Sequence, residues 1–468
     1  MFVNDLRPHC IILLFYGKVL IENDGKEAKY LVTVSEHTVN EKGHLVIGDI
    51  DSIELTKTYG TPLFVYDLSL IRKRARAFLS TFKEMEVEAQ VAYASKAFSS
   101  VAIYQVMNQE NLSLDVVSAG ELYTAIQAGY PVERIHFHGN NKSREELLLA
   151  IEHNIGCIVV DNFYEIELLK ELTQLKNHQV NILLRVTPGV EAHTHDYITT
   201  GQQDSKFGFD LLNGQADEAF KQVYQDSYLN LLGLHCHIGS QIFETSGFKI
   251  AAEKLIKKMI EWNHSYHYSC TVLNLGGGFG IKYTEEDTPL DPSVYVKEMV
   301  LVVKELVADT SFSMPEIWIE PGRSLVGDAG TSLYTIGSAK EVPNVRNYLS
   351  VDGGMSDNIR PALYGAVYEA MIANKMELER KYDYTIAGKC CESGDKLIES
   401  VMLPKAEPGD TLAVFCTGAY GYSMASNYNR IARPAVVFVE NEKHQLAVKR
   451  ETLEDIVHLD LPFTMERG

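Results

Sequence analysis

Between residues 90 and 320 short β-branched runs alternate with stretches whose apolar residues recur at spacings of three and four. That alternation is the pattern of a parallel β/α architecture. Eight runs read as strands: QVAYASK, SLDVVS, RIHFHG, GCIVVD, NILLRV, LLGLHCHIGS, VLNLGGG and IWIEPGR. Helical periodicity lies between them, at 119–128, 143–153, 163–175, 245–262 and 291–308. Eight strands with intervening helices predict a closed (β/α)8 barrel, whose chemistry gathers at the carboxyl ends of the strands. PLFVYD at 62–67 would make nine strands and is assigned to the segment leading into the barrel, followed by a helix over 69–83.

Past residue 327 the period changes to alternating apolar and polar positions, in SLYTIGS, RNYLSVDGG, YDYTIAGK, DTLAVFC, PAVVFVE and HQLAVKR. This predicts an all-β module with one helix at most, over 361–371, and with strands contributed by 37–61. The expected class is therefore α/β plus β. Residues 67–327 form the barrel, residues 37–66 with 328–468 form a β domain of sandwich or barrel type, and residues 1–36 are an extension without an assigned role.

Composition then narrows the partners. The chain has 468 residues, 46% of them apolar, and a net charge of −20. No basic stripe interleaved with aromatics is present, which argues against nucleic acid. The seven cysteines contain no CxxC and no even spacing, so neither a zinc knuckle nor a secreted disulfide framework is indicated, and a reducing cytoplasm fits. The apolar run CIILLFYG at 10–17 is too short to span a bilayer and reads as a strand or a disordered leader, which leaves no membrane role.

Nearly every expected strand end carries an unusual polar residue. The first ends in Lys96; the second offers Asp115 with Ser118 and Glu121; the third His138 with Asn140 and Asn141; the fifth Arg185. The sixth carries His235 and His237, two apart and so on one face, with Cys236 turned to the helical layer. No third ligand follows this pair at metal-binding spacing, and HTHD at 193–196 reads as loop chemistry, so no metal is expected. One histidine stacked on a flat ring is the functional reading, and a hydrogen-bonded core histidine the plain one.

The seventh strand runs into GGGFG at 276–280, which suits either close approach to a single phosphate or a tight turn. The eighth ends in Glu320, a Pro-Gly turn and Arg323. A carboxylate inside a barrel needs a cationic partner, and a protonated pyridine nitrogen would serve. An imine-forming lysine, a stacking histidine, a carboxylate for a pyridinium and a phosphate site of glycines and arginine together describe the needs of pyridoxal 5'-phosphate.

The stretches YASKA, LDVVSAGEL, GNNKS, DSKFGFD, HCHIGSQI, NLGGGFG, EPGRSLVG, DGGMSDNIRPALYGA, GKCCESGD and GAYGYSMASNYNRIARP, in this order over about residues 40–435, resemble the diaminopimelate decarboxylases. These belong to the barrel class of pyridoxal-phosphate enzymes that also holds ornithine and arginine decarboxylases and alanine racemases. About 36 residues precede the usual family start near TVNEKGHLVIGD.

The resemblance implies decarboxylation of meso-diaminopimelate to L-lysine by a homodimer with shared active sites. It implies that Lys96 holds the cofactor as an imine, His237 stacks on its ring, and Glu320 faces its nitrogen. Ser240, Gly276, Gly277, Gly278 and Gly322 surround the phosphate, with Arg323 on the phosphate, the substrate or both. Tyr420 touches cofactor and substrate, while Arg323, Arg360, Tyr364 and Glu392 take the substrate's far end. Cys391 and Glu392 come from the partner subunit. A thiol with a pKa of about 8.5 is mostly protonated at neutral pH, so Cys391 can return a proton to the α-carbon, and Cys390, on the other face of an extended segment, reads as a buried structural thiol. Decarboxylation of ornithine, arginine or carboxynorspermidine is the alternative within enzymes. A non-catalytic decoy that keeps the fold and the cofactor is the alternative outside them.

Overall fold

The structure is a computed structural model that describes residues 37–190 and 205–465, together with the backbone of strands Cys10–Phe15, Lys18–Asn23 and Lys26–Val32. HTHD at 193–196 lies outside the described residues. The chain divides into two compact units, one of Leu70–Lys282 with Asp287–Gly327, the other of Met1–Ser69, Tyr283–Glu286 and Asp328–Gly468.

The first unit is the closed parallel barrel that the alternation predicts. Its strands are Ala89–Ala94, Ser113–Val116, Ile135–Phe137, Cys157–Val160, Val180–Thr187, Leu229–His235, Val272–Asn274 and Glu316–Ile319. Each pairs in parallel with the next, and the eighth closes on the first through Ile317 opposite Ala89 and Ile319 opposite Val91. A short extra strand, Phe209–Asp210, pairs in parallel with the last two residues of the fifth, Val186 and Thr187.

Several helices begin within a few residues of a strand end because a polar cap starts them. Ser100, Ser118, Ser143 and Asn162 each accept a backbone N–H of the first turn of Val101–Gln109, Ala119–Gln127, Arg144–Glu152 and Phe163–Lys176. These caps keep the βα loops short, and short loops hold strand-end side chains in place. Inside the barrel Trp318 packs with Cys157, Val159, Leu183 and Val272, and His136 stacks on its indole at 4.2 Å. Burial drives the His136 pKa down to about 3, so that ring is a neutral core group.

In the second unit one sheet runs in the order Lys396–Leu403, Tyr382–Ala387, Arg346–Val351, Gly330–Val342, Leu63–Asp67, Ala435–Glu440 and Lys443–Val448, with Thr411–Val414 bridging Gly330–Val342 to Ala370–Ile372. The leading segment PLFVYD therefore becomes a central strand here, between Gly330–Val342 and Ala435–Glu440. Its four buried positions, Leu63 to Tyr66, explain why: an unbroken apolar run needs cover on both faces.

The helix expected over 361–371 is only Arg360–Tyr364. Gly365 takes a left-handed φ of 62° and ends it, and Ala370–Ile372 then forms a strand. Residues 37–61 hold three short strands in a sheet of their own and a helix, Ser52–Tyr59, capped by Asp51. In this unit the strand Lys396–Leu403 and the helix Leu453–Val457, the latter with a Thr452–Asp455 capping box, went unread. Among the described residues no helix is long and apolar enough to cross a membrane.

Candidate active site

At the barrel's carboxyl end, residues from several strands meet around Glu320, which follows the eighth strand and is buried. Asn274 Nδ2 donates to Glu320 Oε1 at 2.7 Å, and His235 Nε2 lies 3.1 Å from Oε2. His138 Nε2 lies 3.1 Å from Oε1 and 3.7 Å from Asp115 Oδ1. Burial would raise the Glu320 pKa, but the charges of His138 and His235 and their hydrogen bonds outweigh it and hold the carboxyl well below the usual range. Asp115 goes the other way. Burial, helped by repulsion from Glu320 and opposed by His138 and Lys96, pushes it up to about 6.

His138, His235 and Glu320 offer ligand atoms all within 4.8 Å of one another, a set that a divalent cation could use. Tertiary structure supplies the third ligand that spacing along the chain does not. The sequence places His235 and His237 on one strand face, but the sixth strand ends at His235 and His237 lies in the loop beyond it. His237 Nδ1 instead accepts the Gly277 N–H at 3.2 Å, which puts the ring proton on Nε2 and fixes the ring's tilt. Burial, with the positive charges of Lys96 and Arg185, drives the His237 pKa well below the imidazole range.

Lys96 sits two residues past the first strand, in the single turn Ser95–Ala97. Its neighbours are buried while its own side chain is exposed. Glu121 holds that turn by accepting from Ser95 Oγ and from the Val117 N–H, both at 2.7 Å.

The glycines after the seventh strand are needed first for packing. A Cβ on Gly277 would stand 2.1 Å from the Glu320 carbonyl oxygen, and one on Gly276, whose φ is +67°, 2.3 Å from that of Cys236. Their N–H groups are also engaged, Gly276 with Asn274 Oδ1 at 2.9 Å and Gly277 with His237. The loop is thus wedged between those after the sixth and eighth strands. Beside it Arg323 donates to Ser240 Oγ through Nε at 3.3 Å and through a terminal nitrogen at 3.0 Å, and Gly322 is buried against Ala94 and Ala97.

The donor set fits a pyridoxal group: a solvent-facing amine, a buried carboxylate held ionised, a neutral imidazole fixed by one nitrogen, and an arginine–serine pair. Asp115 Oδ1 and His235 Nδ1 are moreover buried without a hydrogen-bond partner, as expected of groups whose complement is not protein.

The remaining residues singled out from the sequence belong to the second unit. Arg360 is buried, donates to Tyr368 Oη at 2.7 Å and Tyr283 Oη at 3.2 Å, and lies 5.7 Å from the centre of the Tyr420 ring. Burial disfavours its charge, but the phenol oxygens of Tyr283 and Tyr368 more than offset this and raise its pKa. None of the described carboxylates forms an ion pair with it. Tyr364 lies one turn on and is half-buried; Tyr420 is held at a φ of 61°. Cys391 and Glu392 are exposed and Cys390 is buried. Burial and the Asp395 carboxylate push the Cys390 thiol up.

Reading the chain by its strands passed over Asn274, although it shares a face with Val272 at a strand end, where the same rule found the others. Tyr283 and Tyr368 carried no local signal at all.

The model of the pyridoxal-dependent decarboxylase pyridoxal-binding domain matches residues 68–327. The chain is 65% identical over 424 residues to the diaminopimelate decarboxylase of Bacillus subtilis (strain 168), covering 91% of this chain and 97% of the relative. It superposes with a TM-score of 0.86 on the diaminopimelate decarboxylase of M. jannaschii in complex with L-lysine, at 35% identity, over 91% of this chain and 98% of that one. The Helicobacter pylori diaminopimelate decarboxylase with L-lysine gives 0.81 at 30% identity, over 88% and 99%. With a carboxylate, an amine and an arginine set at the mouth of the barrel and this likeness along nine-tenths of its length, the chain belongs to the diaminopimelate decarboxylase family of pyridoxal-dependent decarboxylases.

Proposed function

We propose that this chain removes one carboxylate of meso-2,6-diaminopimelate to give L-lysine and carbon dioxide, the last step of lysine biosynthesis, with pyridoxal 5'-phosphate as cofactor. Lys96 is the residue to hold the cofactor covalently. His237 offers its flat face to the ring and Glu320 its ionised carboxylate to the ring nitrogen. Ser240, Gly278, Gly322 and Arg323 take the phosphate, while Gly276 and Gly277, whose N–H groups are engaged elsewhere, shape the loop beside it. Bound there, the cofactor supplies an electron sink for the pair released when the carbon–carbon bond breaks.

The chain's own residues do the rest. The exposed amine of Lys96 would be the group placed to carry a proton beside the substrate. Glu320, kept anionic by Asn274, His235 and His138, favours a protonated ring nitrogen and so a stronger sink. Cys391 returns a proton from Sγ to the α-carbon, and Glu392 receives the distal amine. Both serve the active site of a second copy in a homodimer, and the enzyme works in the cytoplasm.

The observation that carries the choice of substrate is Arg360. It is a buried guanidinium whose hydrogen bonds go to two phenol oxygens and to no described carboxylate. A ligand with a distal carboxylate completes it with a charge-assisted, bidentate pair, whereas ornithine would bring a second cation against it. Tyr364 and Tyr420 flank that end. The test is to incubate the cofactor-loaded protein with meso-diaminopimelate, ornithine or arginine and measure carbon dioxide and product. Lysine from diaminopimelate, with little turnover of the other two, is expected; preferential release from ornithine or arginine, or from none, defeats the reading.

A further inference from the structure

The vicinal thiols lie in a loop whose shape is set by two side chains outside the assigned chemistry. Asp395 is 3% exposed. Its Oδ2 accepts the Cys390 N–H at 2.7 Å and its Oδ1 the Met355 N–H at 2.6 Å, while its own carbonyl accepts the Gly388 N–H at 2.9 Å. The loop folds around that carboxylate so tightly that a Cβ on Gly388 would stand 2.2 Å from Oδ2. On the other side of the pair, Asn429 Oδ1 accepts the Cys391 N–H at 2.7 Å. Asn429 has a left-handed φ of 53°, the non-helical residue within its 3-10 turn Tyr428–Arg430.

Consecutive backbone N–H groups are thus gripped from different directions, Cys390 from the buried side and Cys391 from the exposed side. The consequence is visible in the side chains: Cys390 is turned in to 8% exposure and Cys391 out. A buried carboxylate bonded to backbone N–H groups is a strong acceptor, and losing it would leave at least two of them unsatisfied.

We propose that Asp395 and Asn429 are positioning residues that clamp the segment between them and aim the Cys391 thiol, and not that of Cys390, at the substrate. This rests on the reading of Cys391 as the proton donor. The clamp has a readout that does not depend on turnover, namely which thiol reacts.

The test is alkylation of cofactor-loaded protein with iodoacetamide, followed by peptide mapping. In the unaltered chain Cys391 should label at least about tenfold faster than Cys390, since thiol reactivity follows exposure. Asp395→Asn keeps the size but loses an acceptor oxygen; it should bring the two rates within about threefold and lower kcat about 10- to 100-fold with KM little changed. Asn429→Ala should act in the same direction, and Asn429→Asp, which keeps the acceptor, should restore both selectivity and kcat. Unaltered selectivity in Asp395→Asn and Asn429→Ala overturns the proposal, as does an Asn429→Asp variant no better than Asn429→Ala. If Asp395→Asn loses the cofactor's absorbance and so its fold, the Asn429 pair decides alone. Collapsed selectivity beside an undiminished Cys391→Ala enzyme would uphold the clamp and reject Cys391 as the acid.

Discussion

The barrel and the β unit present their chemistry in different ways. Around Glu320 the groups come from the ends of parallel strands, where a two-residue period and a short capped loop leave each side chain little choice of direction. Around Arg360 and Cys391 they come from a five-residue helix, from left-handed residues and from a loop folded over a carboxylate. On the proposed reading the first arrangement holds a rigid, charged ring, and the second recognises a flexible substrate and completes the reaction. The geometry of the second depends on side-chain contacts far apart in sequence.

If this division is real, substitutions in the two units separate by what they leave intact. The largest effect is expected from Lys96→Ala, which should abolish the covalent cofactor absorbance and lower turnover by more than about 10³-fold; a retained absorbance would remove Lys96 from that role and break the comparison at its base. Cys391→Ala comes next. It should cut kcat about 10²-fold and keep the cofactor absorbance, whereas Cys390→Ala changes kcat less than about threefold. Equal, small effects would mean that neither thiol is the acid.

Arg360→Met should lower kcat/KM for diaminopimelate about 10- to 100-fold, the worth of a charge-assisted contact, again with the cofactor in place. Loss of cofactor binding in this variant would erase the distinction between holding and recognising. The smallest effect concerns the barrel alone. Because Asp115 has its folded pKa raised from 3.8 to about 6, it binds more protons folded than unfolded across that window, so its contribution to stability falls as pH rises from about 4 to 6. Glu320, with a depressed pKa, stabilises above its ordinary value of 4.5 and loses that contribution as pH falls. Denaturant titrations of the cofactor-free protein should therefore show Asp115→Asn gaining stability relative to the unaltered chain as pH rises through that interval. A constant difference would show that Asp115 does not titrate there.

How far the sequence could be read follows the same division. Lys96, Asp115, His138, His235 and Glu320 were accessible from strand ends alone, because a parallel barrel converts chain position into spatial position. Asn274 was within reach of that rule and was passed over. Arg360, Tyr420 and Cys391 were reached through likeness to a family, since nothing in local period or spacing singles them out. Tyr283 and Tyr368, which hold Arg360, and Asn429, which holds Cys391, had no signal of either kind.

By itself the sequence determined the eight-stranded barrel, the all-β remainder and the chemistry at the strand ends. Those depend on local period, on capping and on the burial of apolar runs, all of which act over a few residues. Tertiary structure decided that His235 meets Glu320, that the Gly276 and Gly277 N–H groups bond to Asn274 and His237, and that Leu63–Asp67 lies at the centre of a sheet. Each of these rests on a contact between segments distant in the chain, and a buried polar group takes whichever partner the fold brings within about 3 Å.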